Sequence, residues 1–451
     1  MRRNFMPHAL SQKFTTRSLI AMTLPSILMM AFVSIYSMFG SIFASLYIGE
    51  KALSAINITF PLFSTIIAIS VMFTTGSNAI ISTNLGVGDY QRARENFTRI
   101  SIIGGITGLV LGLFTYIFRY PLIHFLGSTP SLDRLCITYL TGYIFIFPFI
   151  FWEIYTQYFF VTEGKPLYSL LVILVGGSSN IFLCYFTMGV LDMGIIGAVI
   201  GAAAGFVIPS IVFLLYFSRN KKGTLYFVKP KKHHHFVLNT CTNGSSEMVT
   251  NLAIAIVTAV MNIIMVQRAG EEGLAAVSVI VQVKFLMNSI YIGFGAGVAP
   301  IFAYARGADD RKQIKTVLAI SLKYVLLSSI ALVALSLAFS HHIVAAFIRP
   351  ESTAFPLAER GFIFFAFGYL FAGINIFVSV FFTALSNGKI SAIISFLRTF
   401  ALALGFLLIL PIFFGTNGVW LSAPLSEGLA LMISLFFIKR YAKVYHYRKE
   451  D

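Results

Sequence analysis

The chain has 451 residues, of which 57% are hydrophobic and only 11% are charged. Soluble domains carry charge on about a quarter of their residues, so this composition excludes an ordinary soluble protein and indicates one embedded in a membrane. The net charge of +16 would suit nucleic-acid binding, but its distribution along the chain has another explanation, given below. The three cysteines are an odd number and scattered, which predicts neither a disulfide framework nor a metal site.

Apolar runs of membrane-spanning length recur along the whole chain, and each is long enough to cross a hydrocarbon layer roughly 30 Å thick. We therefore predict an all-α integral membrane protein with about twelve transmembrane helices. The first run follows a basic segment, as in a signal peptide, but it continues for a full membrane thickness and is kept as a helix. In chain order the runs are 18–48, 52–84, 97–119, 134–161, 168–190, 194–217, 238–267, 274–305, 317–340, 359–386, 391–414 and 416–438.

The chain repeats itself at a nearly constant offset, close to half its length. Six spans per copy is an even number, so both copies begin on the same side of the membrane and form two parallel six-helix bundles. A duplicated membrane-buried unit is typical of transporters, whose site lies between the repeats. The recurring motifs are Ile48-Gly49-Glu50 with Ala269-Gly270-Glu271, Leu85-Gly86-Val87-Gly88-Asp89 with Ala305-Arg306-Gly307-Ala308-Asp309, Glu163-Gly164-Lys165 with Asn387-Gly388-Lys389, and Gly194-Ile195-Ile196-Gly197 with Gly415-Thr416-Asn417-Gly418.

These observations predict four regions: an N-terminal six-helix lobe (1–217), a basic cytoplasmic linker (218–236), a C-terminal six-helix lobe (237–438) and a cytoplasmic tail (439–451). The linker is polar and basic and includes three consecutive histidines, His233 to His235. Consecutive residues do not converge on one face of a helix, so we expect a solvated basic loop there and not a metal site.

Basic residues are distributed unevenly between the two sides of the predicted membrane. Alternate loops, including both termini and the linker, hold 25 Lys and Arg residues, whereas the opposite loops hold 6. This positive-inside bias predicts a multi-pass protein of the cell (plasma) membrane with both termini in the cytoplasm. The basic charge then serves orientation and contact with anionic membrane lipid, and we expect no nucleic-acid partner.

Charged residues inside membrane spans are costly, so they are candidates for function. Five lie deep in spans: Glu153, Glu247, Lys284, Arg398 and Glu427. Only Glu153 belongs to the first repeat, where no Lys or Arg within a span could neutralise it. An unpaired acid at that depth is either protonated or binds a cation.

Polar residues at helical spacing extend these candidate sites. Gln157 lies one turn after Glu153, and Asn251, Thr258 and Asn262 continue the face that Glu247 begins. Lys284, Asn288 and Tyr291 form a further face of this kind. The alternative interpretation is that the second-repeat charges are structural ion pairs, and that Arg398 extends to the cytoplasmic surface.

Several motifs together resemble the multidrug and toxic compound extrusion (MATE) transporters. They are Leu85-Gly86-Val87-Gly88-Asp89, Gly244-Ser245-Ser246-Glu247, Tyr304-Ala305-Arg306-Gly307-Ala308 and Trp420-Leu421-Ser422-Ala423-Pro424-Leu425-Ser426-Glu427. The resemblance covers essentially the whole chain. It implies two six-helix lobes around a central cleft, and export of organic cations or drugs in exchange for protons or sodium.

The resemblance places a coupling acid at Glu247 and a common last-span acid at Glu427, but the first repeat departs from the family pattern. Two positions where relatives carry Asp are Gly40 and Cys184, and Glu153 stands where relatives tend to carry Asn. Our hypothesis is that Glu153, with Gln157 and Asn180, takes over the cation role of the first lobe. The competing hypothesis is that coupling depends on Glu247 alone.

Cation-coupled export of drugs or organic cations by alternating access is therefore the predicted function. The alternative is a flippase for lipid-linked saccharide or peptidoglycan precursors, which we expect to need several basic residues to hold pyrophosphate; only Lys284 and Arg398 lie in suitable places. No nucleophile with a base, metal-ligand cluster or nucleotide motif is found, so we expect no enzyme activity. We expect a monomer without a cofactor, whose partners are a small-molecule cationic substrate and a proton or sodium as coupling ion.

Overall fold

The computed structural model describes residues 9–231 and 235–445, without the side chains of Ser41 and Glu50. Within these ranges the chain is helical, with short connections and no strand. The first half contains α1 (Thr16–Phe43), α2 (Glu50–Val87), α3 (Tyr90–Ile117), α4 (Arg119–Phe125), α5 (Asp133–Ile144), α6 (Phe147–Thr162), α7 (Pro166–Cys184) and α8 (Ile195–Arg219). The second half contains α9 (Phe236–Gly307), α10 (Arg311–Ala338), α11 (Ser340–Ala345), α12 (Phe355–Ala384), α13 (Gly388–Phe396), α14 (Ala403–Phe414) and α15 (Thr416–Tyr441).

The predicted number of membrane spans is confirmed once the long helix α9 is divided. In the described ranges, ten helices are long and apolar enough to cross a membrane, or eleven when the bent pair α5–α6 counts as one span. Helix α9 has 72 residues, about 108 Å at 1.5 Å per residue, far more than one bilayer needs. Gly270 breaks it with a non-helical backbone (φ 58°, ψ −143°), and counting its two parts, α9a (236–269) and α9b (271–307), gives twelve spans.

Backbone geometry shows the internal repeat directly. Gly194 and Gly415 have nearly identical torsion angles (φ 58°, ψ −142° and φ 59°, ψ −138°), and each begins a helix. Gly49 and Gly270 are separated by the same interval along the chain, and both turn it between two spans at positive φ. Because positive φ strongly favours glycine, these two motif matches identify the same turn in each copy.

The other two motif matches are wrong in register. Asp89 and Asp310 both cap a helix, accepting hydrogen bonds from the backbone N–H of Arg92 (3.0 Å) and Gln313 (2.9 Å), so Asp89 corresponds to Asp310 and not to Asp309. Lys165 and Asn387 likewise precede α7 and α13 with similar torsion angles, so Lys165 corresponds to Asn387 and not to Lys389. The sequence comparison aligned residues of similar type. The backbone geometry at the helix starts shifts that alignment by one or two residues.

Glycines bring the two lobes into backbone contact. A Cβ added to Gly76 of α2 would collide with the backbone of Thr240 on α9a, and one added to Gly297 of α9b would lie 3.0 Å from Cα of Thr23 on α1. Gly297 follows Gly76 by the same interval that separates the paired turn glycines. Gly244, a residue of α9a that also lies at the Gly76 crossing, follows Thr23 by that same interval. These crossings are therefore equivalent in the two copies. Small residues allow membrane helices to approach this closely.

Among the described residues, the hydrophobic clusters that join the two lobes lie toward one end of the molecule. Leu10 and Phe14, at the start of the described chain, pack into a hydrophobic cluster of the second lobe, and Phe236 and Ala296 pack into that of the first. At the opposite end, residues around Gly270 such as Met265 and Ala276 cluster only with second-lobe residues. These hydrophobic contacts between the lobes thus lie at the end where the described chain begins and ends, which we call the terminus end.

We predict that Gly76→Ala lowers the free energy of unfolding by about 1–3 kcal/mol, because the added methyl group meets a backbone atom that cannot rotate away. The matched control is Gly40→Ala on α1, where no atom lies within 4 Å of the added Cβ. That change should be neutral or stabilising by about 0.5–1 kcal/mol. Thermal unfolding of both variants in detergent checks the difference, and equal melting temperatures would contradict the crossing geometry.

Residues 220–231, which we call the strap, pack against the first lobe. Both oxygens of the Glu163 carboxylate accept backbone hydrogen bonds, one from Thr224 and one from Leu225, each 2.8 Å long. The Phe227 ring stacks on Phe97 at 5.3 Å, and the Leu225 side chain is fully buried. The expectation of a solvated loop is therefore wrong for the strap, because its apolar centre supplies a buried contact. Lys232, His233 and His234 lie outside the described residues.

Replacing Glu163 with Ala should release the strap, since two buried N–H groups lose their acceptors at a cost of about 1–3 kcal/mol each. The expected result is faster trypsin cleavage at the exposed Lys221 and Lys222 of the detergent-solubilised protein. Glu163→Gln keeps one acceptor oxygen and should give an intermediate rate. Unchanged cleavage in both variants would show that the carboxylate does not hold the strap.

Candidate functional site

Glu153 is an isolated acid inside the first lobe. It lies on α6 with 2% of its surface exposed, and the Gln157 side chain donates a 2.7 Å hydrogen bond to its Oε1. In the described ranges no Lys, Arg or His lies within salt-bridge distance of it. Tyr36, on α1, interacts electrostatically with the Glu153 carboxylate. Sequence reasoning missed Tyr36, although the resemblance already directed attention to this part of the first span.

Asn180 does not join Glu153. Its side-chain N–H donates to the backbone oxygen of Gly201 on α8 (3.0 Å), which ties α7 to α8. Cys184, one turn further along α7, is buried against the same glycine. The structure therefore groups Glu153 with Gln157 and Tyr36, while Asn180 lies at the neighbouring helix contact.

Glu247 faces a cavity between the lobes. The cavity has a volume of about 50 Å³ and is lined by Asn78 and Tyr158 of the first lobe and by Glu247 and Thr383 of the second. Within the described parts of the chain, the Glu247 carboxylate makes no hydrogen bond and no ion pair. The Asn251 side chain, expected on the same face, donates to the backbone oxygen of Glu247 (2.8 Å) instead of its carboxylate.

Glu427 differs from Glu247 because both of its oxygens are engaged. Arg398 Nη1 lies 3.8 Å from Oε1, and the Asn375 side chain donates a 2.8 Å hydrogen bond to Oε2. Arg398 is 9% exposed and lies in a π-helical segment, Leu397–Leu402, between α13 and α14. The expectation that it extends to the cytoplasmic surface is wrong, because it turns inward to this acid. Asn375 was missed, although it is the counterpart of Glu153 in the second copy of the repeat.

Lys284 lies in the same part of the second lobe. Its ammonium is 5.7 Å from the centroid of the Phe365 ring and interacts at longer range with Glu427 and Arg398. In the region that the structure describes, no carboxylate lies within 4.0 Å of it. The side-chain oxygen of Asn288, one turn along, is buried without a hydrogen-bond partner.

Equivalent positions in the two lobes carry different chemistry. Lys284 corresponds to Phe63, and Phe365 corresponds to Tyr143. In the first lobe, the ring centroids of Phe63 and Tyr143 are 4.3 Å apart. Likewise Glu427 corresponds to Phe206, and Arg398 to Gly176. The lobes therefore share a helical framework, but the first encloses aromatic rings and one acid where the second encloses two cations and an acid.

A chain of buried hydroxyl groups fixes the helix that carries Glu247. Ser246 contacts Thr383 of α12 (3.2 Å), Thr383 donates to Ser391 of α13 (2.7 Å), and Ser391 in turn contacts Ser379 of α12 (2.8 Å). The start of α9a is thereby joined to α12 and α13, both in the second lobe.

A family comparison identifies the protein. The MatE family matches residues 25–186 and 247–409, one segment in each lobe and well over half of the chain. The chain belongs to the MatE family, and the predicted relationship to the MATE transporters is confirmed. The two matched segments coincide with the two copies of the repeat in this MatE protein.

Individual relatives agree over nearly the full length. The multidrug export protein MepA of Staphylococcus aureus (strain N315) is 22% identical over 430 residues, covering 94% of this chain and 93% of that protein. A crystal structure of MATE in the straight conformation has a TM-score of 0.91 at 17% identity, covering 98% of both chains. The outward-facing conformation of a multidrug resistance MATE family transporter gives 0.89 at 18% identity, covering 99% of this chain and 100% of that one. These structures establish the fold of the MatE protein.

We predict that Arg398→Gln lowers the free energy of unfolding by about 3–5 kcal/mol, since it leaves the largely buried Glu427 without its cation. Combining it with Glu427→Gln removes the uncompensated charge and should restore most of this loss. Thermal unfolding of the wild type, the two single variants and the double variant gives a double-mutant cycle. Strictly additive effects would contradict direct coupling between the two residues.

Proposed function

We propose that this MatE protein is a secondary active antiporter that exports organic cations or drugs in exchange for protons or sodium ions. The observation that carries the proposal is the unpaired carboxylate of Glu247 in a cavity lined by both lobes. An intramembrane acid without a counter-ion attracts a proton or another cation, and its occupancy can differ between conformations. The relationship to MepA, a multidrug export protein, supports the direction of transport and the class of cargo.

The way the lobes touch supports transport by alternating access. They meet at the terminus end and separate toward the opposite end, around Gly49 and Gly270. With the terminus end in the cytoplasm of a plasma-membrane protein, as the positive-inside bias predicts, the cleft opens outward. A single chain supplies residues on both sides of the cavity, which supports a monomer as the functional unit. Rocking the lobes about the glycine crossings would expose the cleft to the cytoplasm instead.

Exchange requires that cargo and coupling ion use the same charge. In this proposal, a cationic substrate and a proton or sodium ion bind the Glu247 carboxylate in turn, so that neither conformational transition leaves the acid uncompensated. Glu153 is the corresponding group of the first lobe, where Gln157 donates a hydrogen bond to it and Tyr36 interacts with its charge. Glu427 is less available for this role because Arg398 and Asn375 hold both of its oxygens.

The flippase alternative is less well supported by the site. Pyrophosphate carries several negative charges and is held by multiple cationic donors. Of the five charged residues identified deep in spans, Lys284 and Arg398 are the cations, and Arg398 is paired with Glu427. An exporter of cations needs the acids that are present, whereas a pyrophosphate carrier needs more cations than these two.

In proteoliposomes, we expect the wild-type protein to transport a fluorescent organic cation when a pH or sodium gradient is imposed, and comparison of the two gradients identifies the coupling ion. Glu247→Gln should reduce the gradient-driven rate at least tenfold, because the amide cannot exchange a cation. The matched control is Glu351→Gln, at an exposed position outside the spans. Gradient-driven transport at the wild-type rate by Glu247→Gln would refute the proposed coupling role.

Glu153→Gln separates the two coupling hypotheses in the same assay. If the first lobe shares the coupling role, as we propose, the gradient-driven rate falls at least tenfold while the variant remains folded by thermal unfolding. A wild-type rate would place coupling on Glu247 alone.

A further inference from the structure

Lys284 has no local partner for its charge. It belongs to a group of four second-lobe side chains, Lys284, Phe365, Arg398 and Glu427, which we call the second-lobe chamber. Its ammonium lies 5.7 Å from the centroid of the Phe365 ring. An ammonium inside a membrane bundle is costly unless it is paired or has a function.

The acid that could neutralise Lys284 is already occupied. Glu427 interacts through one oxygen with Arg398 (3.8 Å) and accepts a hydrogen bond from Asn375 on the other (2.8 Å). The long-range attraction between Lys284 and Glu427 is opposed by repulsion from Arg398. The chamber thus contains two cations and one engaged anion.

Hydrogen-bond donors in and beside the chamber lack acceptors. Nη1 of Arg398, a residue more than nine-tenths buried, forms its ion pair with Glu427 at 3.8 Å, beyond hydrogen-bond distance, and has no hydrogen-bond acceptor in the described chain. Nε1 of Trp420, fully buried, is also without one, and its ring lies 6.3 Å from that of Phe365. A surplus of donors and positive charge suits an anionic oxygen ligand.

A purely structural role does not account for Lys284. At the equivalent position of the first lobe, Phe63 packs against Tyr143 and Phe147, so the same helical framework folds with an apolar residue there. The lysine adds charge to a site that packing alone would fill with a ring. Its presence therefore indicates a ligand and not a requirement of the fold.

We propose that the second-lobe chamber binds the carboxylate of a zwitterionic substrate, with Lys284 as its principal contact. The inference rests on the proposed export function and specifies its cargo: molecules that carry a carboxylate in addition to their cation. Glu247 receives the cationic part, Lys284 the carboxylate, and Phe365 offers an apolar surface beside it. The second lobe then selects substrates by two opposite charges.

A matched pair of dyes tests this assignment: a rhodamine bearing a free carboxylic acid, and its methyl ester, which keeps the cationic ring system without the carboxylate. Gradient-driven transport of each is measured in proteoliposomes for the wild type, Lys284→Gln and Lys284→Arg. Lys51→Gln, at an exposed position next to the Gly49 turn, is the matched control. Lys284→Gln should reduce transport of the free acid at least tenfold and change that of the ester less than twofold. Lys284→Arg should retain most transport of the acid.

The remaining outcomes overturn the inference in distinguishable ways. Parallel loss of both dyes in Lys284→Gln, with an unchanged melting temperature, would mean that Lys284 serves the transport cycle itself. Equal rates for wild type and variant would mean that it contacts no substrate. If the wild-type protein transports the ester but not the acid, carboxylate binding is refuted and the proposed export function is retained. Transport of neither dye by the wild type would refute both.

Discussion

Close approach of α9 to α1 and α2 is the constraint on which the two-lobed arrangement depends. Helix α9 supplies the first two spans of the second lobe, and glycines let its backbone touch both opening helices of the first lobe. Without side chains at Gly76, Gly244 and Gly297, the contact is made by backbone and short side chains. Such a contact can pivot with little repacking, whereas interdigitated large side chains resist motion. Lobes joined only near one end leave room for a cleft at the other.

The duplicated framework has been filled in two ways. Turns, helix caps and glycine crossings recur at a nearly constant interval, because the same backbone has to be built twice. Interior side chains are free of that requirement as long as they fill the space. The first lobe retains a cluster of aromatic rings together with Glu153, and the second carries Lys284, Arg398 and Glu427 in the corresponding region. The two lobes therefore differ in their interiors and not in their helical frames.

The sequence predicted the architecture well because hydrophobic length and repeated turn motifs are local properties. It also identified the pairing of Gln157 with Glu153, since residues four apart on a helix must share a face. It failed for Arg398 and Asn375, whose partner Glu427 is on another helix, and no spacing rule along one segment reveals such a contact. The strap was missed for a related reason: its basic ends dominated the composition, while Leu225 and Phe227 between them determine how it packs.

The hydroxyl chain from Ser246 to α12 and α13 has a consequence for the proposed transport cycle, in which gating and ion exchange must be coordinated. Because the hydroxyl chain joins the start of α9a to the second lobe, Glu247 would move together with that lobe. Asn78 and Tyr158, which line the opposite side of the cavity, would move with the first lobe. Any rocking that parts the terminus end must draw the carboxylate away from those walls and admit solvent to it. The lobe movement that opens the terminus end would therefore also change the surroundings of the Glu247 carboxylate. The two events would occur together without a separate coupling element.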